Sequence, residues 1–125
     1  MTRAIIVTHG DLGKALITAT ESVLGPQQGC TVISNSGLSL DQIKGRVCEY
    51  STSDPTIVFV DLCGGSTFMA CATLPGERNN CALVAGVNLP MLLSFFTKRD
   101  KLSLSELAET VQKDGIRGIL SSQVT

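Results

Sequence analysis

Apolar positions along this chain follow two different periods. Short runs of consecutive apolar residues are typical of strands buried on both faces of a sheet. Between these runs, apolar residues return every three or four positions, as they do in an amphipathic helix. The predicted strands are Ala4–Thr8, Cys30–Ile33, Thr56–Leu62 and Cys81–Val87.

Residues that favour helix termini bound the helical stretches. Ser39 is a predicted N-cap, and Ser103 with Glu106 matches a capping box. Pro90 suits the first turn of a helix, where its missing N–H costs no hydrogen bond. The predicted helices are residues 11–25, 38–50 and 66–74, a helix that starts at 88, and residues 103–115, with Pro75-Gly76 as the stop of the third.

The alternation of strand and helix predicts the fold class. It indicates an α/β fold with a doubly wound, mostly parallel sheet flanked by helices on both faces. A length of 125 residues fits one domain, residues 1–125. In such a sheet, ligands bind outside the carboxyl ends of the strands, where the strand order reverses.

The composition of the chain argues against several classes of function. A net charge of −1, no basic stripe and no tryptophan argue against nucleic-acid binding. No apolar run is long enough for a signal peptide or a membrane span, so a cytoplasmic location is expected. Five cysteines without a CxxC pair, together with one histidine, predict reduced thiols and no structural metal site. No cofactor is expected.

The one histidine, His9, follows the first predicted strand, and Asp61 lies at the end of the third. If these strands are neighbours, the two side chains face each other at the ligand-binding edge of the sheet. Asp61 then accepts the Nδ1–H of His9 and leaves the lone pair of Nε2 facing outward. Such a nitrogen can serve as a base, as a metal ligand or as a nucleophile toward phosphorus.

Gly64, Gly65 and Ser66 follow Asp61 and form a candidate phosphoryl-binding turn. Two glycines let a backbone approach a ligand closely, and Ser66 is predicted to cap a helix whose N-terminal amides attract anions. Each feature alone is also common in structural roles: histidine at a strand end, Gly-Gly-Ser in a tight turn. Together they describe a transiently phosphorylated histidine, with His9 and Asp61 as the catalytic residues.

These segments resemble the mannose-type IIA component of the bacterial phosphoenolpyruvate-dependent sugar phosphotransferase system. The similarity lies in THG at Thr8–Gly10, VFVDLCGGSTF at Val58–Phe68 and VAGVNLPML at Val84–Leu92, and more loosely in residues 98–119. It covers nearly the whole chain, in order and with similar spacing.

The resemblance implies a role for each candidate residue. His9 would receive a phosphoryl group from the histidine phosphocarrier protein and pass it to a IIB component, and Asp61 would orient it. Gly64, Gly65 and Ser66 would form the rim of the site. Family members form homodimers, often by exchanging a C-terminal strand, and Ile116–Leu120 falls where that strand would be. No IIB domain follows, so a separate IIB protein is expected, and membrane contact would be only indirect, through the permease.

The chain departs from the family pattern at three positions. Family members commonly carry tryptophan at Cys63, proline at Thr67 and asparagine at Met69, positions expected to frame the docking surface and the start of the helix on the phosphate side of the site. These departures leave open a second interpretation, a regulatory module whose phosphorylation state is read without sugar transport. A third is a cysteine hydrolase, with Cys63 as nucleophile, His9 as base and Asp61 as orienting carboxylate.

Overall fold

Four parallel strands form the sheet in the computed structural model, which describes residues 1–51, 53–74 and 80–124. Their order across the sheet is β2-β1-β3-β4, so β1 lies directly beside β3. The predicted doubly wound α/β fold is confirmed. The strands are β1 (Arg3–Thr8), β2 (Cys30–Ser34), β3 (Thr56–Val60) and β4 (Cys81–Ala85).

Two of the helices begin at the N-caps that the sequence predicts, Ser39 and Ser103. The Ser39 hydroxyl accepts the backbone N–H of Gln42, and the Ser103 hydroxyl accepts that of Glu106, in two complete capping boxes. The helices are α1 (Leu12–Leu24), α2 (Leu40–Tyr50), α3 (Ser66–Ala72), α4 (Leu89–Lys98) and α5 (Leu104–Arg117).

Successive side chains along each strand point to opposite faces of the sheet, so the core has two layers. Ile6 and Phe59 point to the face covered by α1, α4 and α5, whereas Ile5 and Val58 point to the face covered by α2 and α3. All four side chains are almost fully buried, and each contributes about 1.5–3 kcal/mol through the hydrophobic effect. The consecutive apolar runs therefore reflect a sheet covered on both sides.

Several element ends differ from the sequence prediction. The third and fourth strands end two residues early, because the chain turns at Asp61 and at Gly86, whose φ is +78°. The predicted stop at Pro75-Gly76 lies outside the described residues. The predicted C-terminal strand Ile116–Leu120 is not formed in this chain: α5 continues through Arg117, and the N–H of Ile119 bonds to the carbonyl of Ile116.

The helices of the described ranges are short compared with the thickness of a bilayer or too polar for its interior. In the described ranges, none is both long enough and apolar enough to cross it.

Candidate functional site

The adjacency of β1 and β3 brings His9 and Asp61 together at the carboxyl edge of the sheet. His9 Nδ1 lies 2.8 Å from Asp61 Oδ2, and the backbone N–H of His9 donates to the same oxygen at 2.8 Å. This edge is the topological switch point, since the chain leaves β1 toward β2 and leaves β3 toward β4. The structure thus shows the neighbouring arrangement on which the sequence prediction depended.

The partner of Nδ1 fixes the form of the imidazole. An ionised carboxylate only accepts hydrogen bonds, so Nδ1 carries the proton and Nε2 keeps its lone pair. Nε2 lies 3.4 Å from the Ser66 hydroxyl, a long contact in which the hydroxyl is the donor. The His9 side chain is 43% exposed, so Nε2 can be reached by an incoming group.

Asp61 is held at both carboxylate oxygens. Its side chain is only 7% exposed, and Oδ1 accepts the Thr67 hydroxyl at 2.9 Å and the backbone N–H of Leu62 at 3.1 Å. Burial by itself would raise the pKa of Asp61. The hydrogen bonds from His9 and Thr67 outweigh it and hold that pKa below the ordinary value, so the charged form is favoured at neutral pH.

The turn after Asp61 places Ser66 beside the imidazole. Gly64 has φ +83°, a conformation that glycine adopts without strain, and it reverses the chain. A Cβ atom on Gly65 would lie 3.3 Å from Leu62 Cβ and 3.8 Å from His9 Cε1, so a larger side chain would crowd the ring. The N-cap of α3 is Gly65, which corrects the expected capping role of Ser66; Ser66 is the first helical residue and its hydroxyl turns to His9.

Two side chains to which the sequence analysis gave no role, those of Thr8 and Asn35, hold the His9 loop. The Thr8 hydroxyl accepts the N–H of Gly13 at 2.8 Å, and the Asn35 side chain accepts the N–H of Gly10 at 3.1 Å. Thr8 is wholly buried. A polar residue at the end of an apolar strand, directly before the only histidine, was a signal that could have identified it.

Among the described hydrogen bonds, none joins Asn88 or Cys63 to the His9 ring. Asn88 caps α4 by accepting the N–H of Met91 and donates to the carbonyl of Gly115. Cys63 lines an open cavity of about 250 Å³ with Leu83, Val84, Ala85 and Gln112, while the described hydrogen bonds of the His9 ring go to Asp61 and Ser66.

The three departures from the family pattern occupy different environments. Met69 and Cys63 are exposed, but Thr67 is wholly buried behind Asp61. Thr67 lies in the first turn of α3, at the start of the helix as expected, but its side chain points inward, so the expectation that it also frames a docking surface is wrong.

Within the described ranges, no group of three or more histidine, cysteine or acidic residues is arranged to hold a metal ion.

The parallel sheet and the imidazole–carboxylate pair define an α/β protein with a histidine site at its switch point. A solved structure of phosphotransferase system component EIIA from Streptococcus agalactiae has the same fold, with a TM-score of 0.90, 24% identity and 97% of each chain covered. The PTS system mannose-specific EIIAB component of Escherichia coli K12 is 29% identical over 126 residues, covering 95% of this chain. The PTS system fructose-specific EIIA component of Bacillus subtilis is 26% identical, covering 90% of this chain and 80% of its own length.

The family model EIIA-man, described as PTS system fructose IIA component, matches residues 3–112. The chain belongs to this family. It spans 39% of the length of the Escherichia coli EIIAB relative, which is a longer protein.

Proposed function

We propose that this chain is a phosphocarrier of the sugar phosphotransferase system. Its His9 would accept a phosphoryl group from the histidine phosphocarrier protein and pass it to a separate IIB component. The observation that carries the proposal is the 2.8 Å contact between His9 Nδ1 and Asp61, which leaves Nε2 with an accessible lone pair. Residues 1–125 would act as one mannose-type IIA domain.

The chemistry of the transfer assigns a task to each group. The Nε2 lone pair forms a bond to phosphorus while the bond from phosphorus to the donor breaks and leaves its electron pair on the donor. Asp61 stabilises the positive charge that develops on the ring. The Ser66 hydroxyl, beside Nε2, and the turn at Gly64 and Gly65 border the space that the phosphoryl oxygens would occupy.

The surface around the site supports the proposal that a protein partner binds there. Leu12, Leu62 and Met69 are large apolar side chains that are about half exposed, and they lie in the segments that follow His9 and Asp61. Exposed apolar side chains beside a reactive group favour contact with another protein. Because phosphoenolpyruvate is a cytoplasmic metabolite, a phosphocarrier driven by it would work in the cytoplasm and would meet the membrane only through the permease.

We also propose a homodimer. In the sheet that the described residues form, β4 is an outer strand, and an outer strand can pair with a further strand from another chain. Ile119 and Leu120, just beyond α5, are 74% and 87% exposed in the single chain. Addition of this segment to the sheet of a second copy would bury both, in a symmetric exchange.

A second candidate function is the regulatory one, with the same phosphohistidine but no sugar transport. The observation that favours it is the exposure of Cys63 and Met69, two positions at which this chain departs from the residues that family members commonly carry. The cysteine hydrolase has less support, because the free nitrogen Nε2 of His9 lies beside the Ser66 hydroxyl, while Cys63 lines a cavity with residues of β4 and α5.

The test is phosphorylation with radiolabelled phosphoenolpyruvate, the enzyme that loads the phosphocarrier, and the histidine phosphocarrier protein. We expect label on the wild type that is lost in acid and survives base, and none on His9→Ala. His9 lies in an exposed loop, so this variant should keep its fold. Label that persists in His9→Ala would contradict the phosphohistidine proposal. Transfer onward to a IIB protein separates the transport role from the regulatory one.

A further inference from the structure

Thr67 contacts the catalytic pair from behind. Its side chain is wholly buried at the start of α3, and its hydroxyl donates to Asp61 Oδ1 at 2.9 Å. The two hydrogen bonds from His9 reach the other oxygen, Oδ2. Asp61 thus connects a hydroxyl on α3 to the imidazole at the end of β1.

We propose that Thr67 is a positioning residue for phosphoryl transfer, which fixes the Asp61 carboxylate so that Oδ2 faces His9. This inference rests on the proposed phosphohistidine function. Without the Thr67 hydroxyl, the carboxylate could twist part of the way about its Cβ–Cγ bond, and the oxygen that faces His9 would move out of line with the imidazole N–H. The backbone N–H of Leu62 also donates to Oδ1, at 3.1 Å, and shares this restraint, but the Thr67 hydroxyl donates at the shorter distance of 2.9 Å and does so from α3.

The character of the Thr67 side chain suits this task. A β-branched residue in a helix has few χ1 rotamers, and burial restricts them further, so the hydroxyl is held in one direction. The bond is also charge-assisted, and it contributes to the lowered pKa of Asp61. Thr67 therefore favours the ionised carboxylate in the orientation that keeps the proton of His9 on Nδ1.

A buried hydroxyl needs a hydrogen-bond partner in any case, so the contact could also serve stability alone. In that case, variants without the hydroxyl would be less stable but would keep the pKa of Asp61 and the transfer rate of the wild type. Thr67→Val removes the hydroxyl at nearly constant shape, Thr67→Ala does so in a smaller side chain, and Thr67→Ser retains it. Thr20→Val is the matched control: Thr20 is equally buried, but its hydroxyl donates to the carbonyl of Leu16 within α1.

The first readout is carbon NMR titration of the Asp61 carboxyl in the unphosphorylated protein. We expect Thr67→Val and Thr67→Ala to raise the pKa of Asp61, and Thr67→Ser and Thr20→Val to leave it near that of the wild type. This measurement needs no activity, so it tests the Thr67 contact even if the phosphohistidine function is wrong.

The second readout is the rate of phosphoryl transfer from the phosphocarrier against pH. Loss of a hydrogen bond to a charged group should slow Thr67→Val and Thr67→Ala about tenfold and move the acid limb of the profile to higher pH. Thr67→Ser should transfer within about twofold of wild type. The Thr67 proposal would be overturned if Thr67→Val and Thr67→Ala both kept the wild-type pKa of Asp61 and the wild-type rate, or if Thr67→Ser failed to restore them. Absence of label on the wild-type protein would instead overturn the proposed function.

Discussion

Each oxygen of the Asp61 carboxylate accepts two hydrogen bonds. Those on Oδ2 both come from His9, one from its backbone and one from its ring. Those on Oδ1 come from Thr67 and from the backbone of Leu62. One residue therefore fixes the position of the His9 main chain, the orientation of its ring and the location of its proton. The charge of Asp61 matters as well as its shape, because the ring becomes positive when Nε2 attacks phosphorus.

Replacement of Asp61 by asparagine separates charge from shape. Asp61→Asn keeps the size and can keep one hydrogen bond, but its neutral amide cannot stabilise the imidazolium by charge. Because an amide can donate as well as accept a hydrogen bond, it also no longer fixes the proton of His9 on Nδ1. We expect transfer to slow by about a hundredfold or more while the protein stays folded. Rapid-quench measurement of transfer from the phosphocarrier checks the rate, and circular dichroism checks the fold.

Asp100→Asn is the control for this charge change. Asp100 is exposed just after α4, and its neighbour Arg99 donates to the carbonyl of Gln28 at the opposite, amino-terminal edge of the sheet. The control should transfer at the wild-type rate. Equal rates in Asp61→Asn and the wild type would mean that Asp61 does not act on His9.

At the scale of elements, the close approach of α1 to the sheet positions the His9 loop. A Cβ atom on Gly13 would lie 2.9 Å from Val32 Cγ1 and 3.0 Å from Thr8 Oγ1. Only a glycine lets the first turn of α1 come near enough for its N–H to reach the Thr8 hydroxyl. The loop between Thr8 and α1, which includes His9, is thereby held short and tight.

Two glycine-to-alanine substitutions test this contact against ordinary helix propensity. Gly13→Ala should lower the free energy of unfolding by about 1–3 kcal/mol, because the added methyl forces α1 off the sheet. Gly45→Ala is the matched control on α2, where a Cβ atom meets nothing within 4 Å, and it should raise that free energy by about 0.5–1 kcal/mol. Urea unfolding measures both. Changes of the same sign would show that α1 is not packed as described.

At the scale of the whole molecule, the proposed homodimer would join two features, the outer strand β4 and the exposed apolar segment after α5. β4 is paired with β3 on one side, and a groove beside it is lined in part by Ala82, Leu104 and Ala108. Beyond α5, Ile119, Leu120 and Val124 are large apolar side chains left almost fully exposed. These are the features expected of a sheet completed by a second copy.

Removal of the exposed segment tests the proposed homodimer. Deletion after Gly118 keeps all of α5, so we expect the chain to fold but to appear by light scattering as a monomer or an aggregate, whereas the full chain is a dimer. The double variant Ile119→Ser with Leu120→Ser should weaken the dimer too, while Ser121→Ala with Ser122→Ala should not. A truncated chain that remains a well-behaved dimer would contradict the exchange.

The linear pattern of residues was sufficient for the fold class. Consecutive apolar runs such as Ile5–Val7 require burial on both faces, and Ser39 and Ser103 satisfy orphan N–H groups within their own helices. These are local effects, so they can be recognised without knowing where distant segments lie. The order of strand and helix then restricts the topology to an α/β sheet, and the residues at the strand ends identify where chemistry is expected.

Tertiary structure decided what depends on distant contacts. The sequence could pair His9 with Asp61 only if β1 and β3 were neighbours, and that adjacency arises from packing of the whole sheet. The sequence placed Thr67 at the start of a helix beside a docking surface, but it could not show that the side chain is buried against Asp61. Helix caps and strand alternation act over a few residues, whereas the second oxygen of Asp61 finds its partner only when the start of α3 packs behind it.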